Sequence, residues 1–561
     1  MRHRNTTVRQ AMFALTLSAA ICGCQSVPAR DSAPAAQAGP ESASKAPRLQ
    51  NLGVLTFPVT SKDTQVQQYF DQGLRLTYGF NHAEAIRAFQ EAQRRDADCA
   101  MAFWGEALAL GPNLNAPMGD EAHKQAYAAI QNAVALKGEV SPKEGDFIDA
   151  MAARYAADPK ADRKPLDEAY SREMEKLAGK YPDDAEAATL YVDSLMNLSP
   201  WNYWLKNGDP RLATTAFVPL LEQTMAKHPN HPGAHHLYIH AVEASEDPDR
   251  AVPSADILAS LMPASGHLVH MPSHIYIRVG QYENAALSNI NAIAADEDYL
   301  EQCRAQGMYP QGYYPHNTHF LWSAQTWLGQ SQEAIANAWK TATVGVTKTP
   351  HHAPTNQPFA PTPWFAYVRF GQWDEMLKQE SPPARNLYTL AMWHYARGVA
   401  LAATGKFDDA RASLDALDPI LDEPGLKDVL IGTCNGRDVA AVAREVLAGE
   451  IAFRSGDMET AIHRFERGVR LEDGLNYTEP PAWNFPVRHN LGAALMKAGL
   501  AAEAETVYWE DLRRNRENGY ALFGLMQALE AQDRKDEAAL MNERFATAWK
   551  NADIRLTGSC F

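Results

Sequence analysis

The chain has 561 residues, of which 68 are acidic and 52 basic, and carries a formal charge of −16 at neutral pH. A body this acidic is repelled by nucleic-acid phosphates and by anionic lipid, so no nucleic-acid partner is expected. The length exceeds an ordinary single domain, and six cysteines scattered without a CxxC pair exclude a thiolate metal site.

Arg2, Arg4 and Arg9 precede the apolar run AMFALTLSAAICG, which is too short to cross a bilayer and reads as a secretory signal over residues 1–23. Ile21-Cys22-Gly23-Cys24 resembles the bacterial lipoprotein box, which implies a lipid on Cys24 after cleavage. Gln25 beside it implies, by the same resemblance, sorting to the outer membrane. The expected location is therefore the cell envelope, facing the periplasm, with membrane contact through the anchor alone. Loss of residues 1–23 removes three arginines and no acid, and takes the formal charge from −16 to −19. Residues 24–50 are Ala, Ser and Pro with little that could pack, and are expected to form a disordered tether with a reach of roughly 25–30 Å. Beyond Cys24 the cysteines are Cys99, Cys303, Cys434 and Cys560; their three possible pairings stay open.

From residue 51 to 561 apolar positions recur with helical period and no stretch alternates like a strand, so the fold is expected to be all-α, of roughly ten to twelve helix pairs. Val66 to Cys99 forms a first unit, with Gly73, Ala85 and Phe89 at its eighth, twentieth and twenty-fourth positions. A second begins at Ala100 and is cut short by Gly111-Pro112-Asn113. Helical stretches follow over Leu166–Leu177 and Ala185–Leu198, where Asp193 aligns with His240 of a later unit. Two aromatic insertions, around Trp201-Asn202-Tyr203-Trp204 and over Tyr299–Tyr314, flank the next units; they either pack on neighbouring helices or form a lid. Clean units resume at Tyr388–Leu417 and from about Val442, Phe485 and Gly519. A proline-rich segment, NYTEPPAWNFP over Asn476–Pro486, interrupts the last of them.

Nine of the eighteen histidines fall between His231 and Trp322. They read HHLYIH, HLVHMPSH and HNTH, with gaps of three or four residues that put the side chains on one helix face. His236 and His240 recur 34 residues later as His270 and His274, and His267 and His270 recur 49 residues later as His316 and His319. The histidine-rich units span about residues 231–348.

The 34-residue period, with small residues at positions 8 and 20 and Gly at 15, resembles the tetratricopeptide (TPR) repeat. That resemblance implies a right-handed superhelical solenoid with first-helix positions 2, 5, 9 and 12 on its concave face. His236, His240, His267, His270, His274, His316, His319 and Glu243 fall on those positions, and Asp193 extends the stripe. YGFNHAEAIRAFQEA, HMPSHIYIRVG and YYPHNTHFLW further resemble an uncharacterised bacterial TPR lipoprotein family, which supplies no activity.

Phased imidazoles on successive helices are suited to a transition metal, and zinc or copper is the expected ion if any cofactor is held. His236, His240, His270 and His274 are expected around one centre, or alternatively His267, His270, His316 and His319. With an open coordination position, Glu243 is the candidate base toward bound water. The alternative is a non-enzymatic scaffold whose groove takes a peptide or protein partner. His394 and the His351-His352 pair lie off the stripe, and no Walker, GxGxxG, GxSxG or HExxH motif occurs.

Overall fold

The computed structural model describes residues 44–303, 309–344 and 356–561. The signal segment, Cys24, most of the tether and His351-His352 lie outside them. Among the described residues the elements are helices, apart from a two-residue hairpin of Leu430–Ile431 with Cys434–Asn435. None of these helices is long and apolar enough to cross a membrane.

Helices follow one another as antiparallel pairs, as the periodicity predicts. The first, Thr64–Tyr78 and His82–Arg95, is entered through Asp63, whose carboxylate accepts from the backbone N–H of Gln65 at 2.8 Å. Pairs interlock through a small residue facing a large one. A Cβ on Gly73 or Gly105 would lie 2.7 or 2.3 Å from the Phe89 ring, so both flanking helices press directly on that ring. Gly492 and Gly524 clasp Tyr508 in the same way, at 2.4 and 2.3 Å. Ala85, Ala285 and Ala410, all at position 20, are fully buried.

The turn inside each pair needs a left-handed residue. Gly280, Gly405, Gly456 and Gly499 supply it with φ between 77° and 93°. Phe80 holds the equivalent turn of the first pair at φ 55°, which is unfavourable for a bulky side chain.

In a simple solenoid each unit touches only its neighbours. Here the C-terminal pairs also fold back on the middle ones. The Lys206 ammonium donates to the carbonyls of Asp473, Gly474 and Leu475 at 2.5–2.9 Å, capping the end of helix Met458–Gly474. Tyr282 donates to the Arg516 carbonyl at 2.9 Å, and Lys550 pairs with Glu283 at 3.0 Å. That closure brings the proline-rich 476–486 segment onto the histidine units.

One expectation changes. The folded body begins at Lys45, inside the expected tether: Ala46 is buried, and Leu49 donates to Gln72 at 3.0 Å, because the first helix leaves an apolar seam for an extended strand of chain. The four cysteines are free thiols. Burial pushes Cys99 up to about 11 and Cys303 up to about 12, so both are protonated.

Candidate metal centre

Three helices carry the histidines. Helix Pro232–Val242 begins at His231, whose Nδ1 accepts from the Ala234 N–H at 3.0 Å, and Pro232 fills the first position, where no N–H is required. It presents His236 and His240, with Glu243 at its C-terminal cap. The next unit is broken into Gly266–His270 and Pro272–Arg278 because Pro272 has no N–H to continue the ladder. Helix Tyr314–Trp327 brings His316 and Phe320.

The rings are held from behind. His236 Nδ1 lies 2.7 Å from the Tyr78 carbonyl, and His270 Nδ1 lies 2.6 Å from Asn289 Oδ1, whose amide is fixed by donating to Ala285 O at 2.7 Å. His240 Nδ1 donates to one oxygen of Glu243 at 2.9 Å and His274 Nδ1 to the other. Carbonyl and carboxylate acceptors fix a proton on Nδ1 in all four and leave Nε2 facing inward as the atom that can ligate, which in His274, held protonated by Glu243, requires loss of the Nε2 proton first.

Those inward atoms meet. His236 and His267 approach Nε2 to Nε2 at 3.1 Å, and His270 and His274 at 2.9 Å. Two nitrogens bound tetrahedrally to one ion at about 2.0–2.1 Å stand about 3.3 Å apart, so these spacings are close to those of a shared ion. Three ligand groups result: His236, His240 and His267; His270, His274 and His316; and His240, Glu243 and His274. Within each, the donor atoms lie within 4.8 Å of one another. His240 Nε2 and His267 Nδ1 are buried without a hydrogen-bond partner among the described residues, a cost that a cation can offset.

Aromatic rings from four separate segments wall the cluster. Phe80 lies 4.4 Å from His236, Trp201 5.0 Å from His240, Tyr313 4.8 Å from His267 and Phe320 4.5 Å from His274. The groove is therefore a closed chamber at the histidine units. Both aromatic insertions take part in closing it: Trp201 is pinned by donating from Nε1 to the Leu114 carbonyl at 2.9 Å, and Tyr313 accepts from Asn115 at 3.1 Å.

Burial sets the charges. It holds His236, His267, His270 and His316 well below the usual imidazole range, with neighbouring histidines adding to the depression. His240 is lowered too, chiefly by burial. Burial alone would also lower His274, yet the Glu243 carboxylate carries it to about 10. Glu243, which burial would raise, is held at about 2 by His274 and His240. Each Glu243 oxygen already accepts from a histidine N–H, so the carboxylate is committed to those two rings. Its place is behind two histidines, orienting them.

Glu479, from the proline-rich segment, had not been singled out. Its side chain is 4% exposed, and one oxygen lies 3.3 Å from His274 Nδ1, out of line for a hydrogen bond. Burial pushes it up to about 7.

Four expected site features fall differently. His236 and His240 group with His267, and His270 and His274 with His316, so neither expected set of four is assembled. At about 100° per residue His270 and His274 are about 40° apart on their helix, while His267 is turned about 60° to the other side and faces the preceding unit. His319 is rotated likewise from His316: it stacks on Trp322 at 5.0 Å, burial lowers it to about 4, and it joins none of the ligand groups. Asp193 bonds to Asn197 at 3.0 Å and is raised by burial to about 6, with Arg154 opposing; it too joins none. His231 and His235 are structural, bonded to Glu186 at 3.0 Å and to Ser254 at 2.9 Å.

No protein-family model matches the sequence, and no curated protein does. Among solved structures the chain is similar to a human IFIT1 dimer with m7Gppp-AAAA, at 12% identity over 88% of this chain and 92% of that one, with a TM-score of 0.33. It is similar to yeast Tom70 at 11% identity, over 86% and 90% of the two chains, TM-score 0.28. The P58(IPK) TPR domain shares 11% identity, over 84% and 99%, TM-score 0.23. None of these likenesses is close enough to lend the chain an activity.

Proposed function

We propose that this is a cell-envelope protein that binds a transition metal, copper or zinc, inside its histidine chamber, tethered through a lipid on Cys24. The observation that carries the reading is the inward facing of Nε2 on His236, His240, His270 and His274, whose Nδ1 atoms are fixed from behind, the arrangement metal-ligating histidines need. The orphaned Nε2 of His240 within the same chamber supports it. A peptide or protein partner would have to use a different surface, because aromatic side chains fill the groove at these units. The envelope location rests on residues 1–25 of the sequence alone.

Titration of the metal-free protein with Zn²⁺ and Cu²⁺ tests the reading. Wild type and His394→Ala, whose ring lies outside the ligand groups, are expected to bind tightly, and His270→Ala and His274→Ala to lose at least tenfold in affinity. Equal binding by all four proteins, or none by wild type, overturns it.

A further inference from the structure

Resting on that metal-binding reading, we infer that the chamber is dinuclear and takes a pair of monovalent copper ions, one in each three-histidine set. The first set is His236, His240 and His267; the second is His270, His274 and His316. They share no residue, and the three donor atoms of each lie within 4.8 Å of one another, so each set can hold an ion without borrowing a ligand from the other.

The two sets lie side by side. Within the first set the ring centroids of His236 lie 4.8 and 4.9 Å from those of His240 and His267. In the second, those of His270 lie 4.8 and 4.7 Å from His274 and His316. The third pair of each set is wider, His240 to His267 at 6.2 Å and His274 to His316 at 5.7 Å, and between sets His240 to His274 is 5.6 Å and His267 to His270 is 5.9 Å, so the sets are told apart by their donor atoms and not by ring spacing. Glu243 joins them: one oxygen holds His240 of the first set and the other holds His274 of the second. This carboxylate is a positioning residue for both ions at once.

Coordination selects the ion. Copper(I) is satisfied by three nitrogens in a plane, while Zn²⁺ on three histidines takes a fourth ligand, commonly water. The rings of Phe80, Trp201, Tyr313 and Phe320 wall the chamber and make an added bound water costly, which favours the ion that needs three donors.

The test is anaerobic titration of the full chain, purified metal-free in detergent, with copper(I) delivered from a chromophoric chelator that reports free ion, and with Zn²⁺ in parallel. Wild type is expected to take two equivalents of copper(I), and His236→Ala and His316→Ala one tight equivalent each, with at least a tenfold loss at the second. His316 is the most exposed of the six, so its variant carries the test if His236→Ala fails to fold. A single equivalent in wild type, abolished by either variant, overturns the dinuclear assignment while leaving metal binding standing. Two equivalents of Zn²⁺ with weaker copper(I) overturns the choice of ion. No metal of either kind removes both readings together.

Discussion

At the scale of single residues, protons and one strained turn make the sharpest demands. His236, His240, His267, His270 and His316 are all lowered by burial, so folded protein stays neutral there where the unfolded chain, near 6.5, takes up protons. Each such group makes stability fall with acidification below about 6.5, by up to about 1.4 kcal/mol per pH unit. The His274–Glu243 pair has the opposite sense at its histidine. Its contribution is full between about 4.5 and 6.5, fades as pH rises through 10, and fades at the other end as pH falls through 2. Carboxylates raised by burial, Glu479 to about 7 and Asp193 to about 6, gain stability on acidification and oppose this, so the histidine term is read by comparison: from pH 7.5 to 5.5 the urea midpoint of metal-free wild type is expected to fall relative to that of His316→Phe, which lacks one such group. Parallel profiles would mean the ring is hydrated in solution. Phe80 supplies a second case. Left-handed backbone at a bulky residue costs about 1–2 kcal/mol, yet removing a buried phenyl costs about 3–5. Phe80→Gly, which installs the residue used by the other turns, is therefore expected to lower stability by about 2 kcal/mol; a gain on denaturation would show that the ring does not hold the chamber together.

At the scale of elements, the helix pairs were legible because each obeys a local rule. Position 20 is a clear instance: Ala285 lies fully buried between helices, and Ala285→Leu is expected to cost about 1–3 kcal/mol by overpacking, read as a fall in thermal midpoint. The histidine stripe was legible for the same reason, since three- and four-residue gaps define a face. Which neighbour each ring would meet was not, because His267 and His270 differ by a rotation that only the packed helices convert into separate ligand sets. Glu479 was beyond any repeat pattern. It reaches His274 from more than two hundred residues away along the chain, carried there by contacts such as Lys206 on the end of helix Met458–Gly474. Lys206→Ala is accordingly expected to loosen that segment, seen as faster amide exchange over 476–486 with little change in the first helix pair.

At the scale of the whole molecule, the proposed lipid anchor on Cys24 is expected to be dispensable for folding. Cys24→Ser is expected to release a folded protein from membranes into the soluble fraction; retention on membranes in high salt would argue against the lipoprotein reading. The closed chamber bears on time as well as on affinity. If the chamber holds an ion as proposed, rings from four segments would have to part before it could leave, and removal by a chelator would be limited by the rate at which Trp201 or Tyr313 swings away. Stripping by excess chelator should then proceed at a rate independent of chelator concentration, and Trp201→Ala should quicken it. A protein that held an ion this way would keep it through passing changes in outside supply.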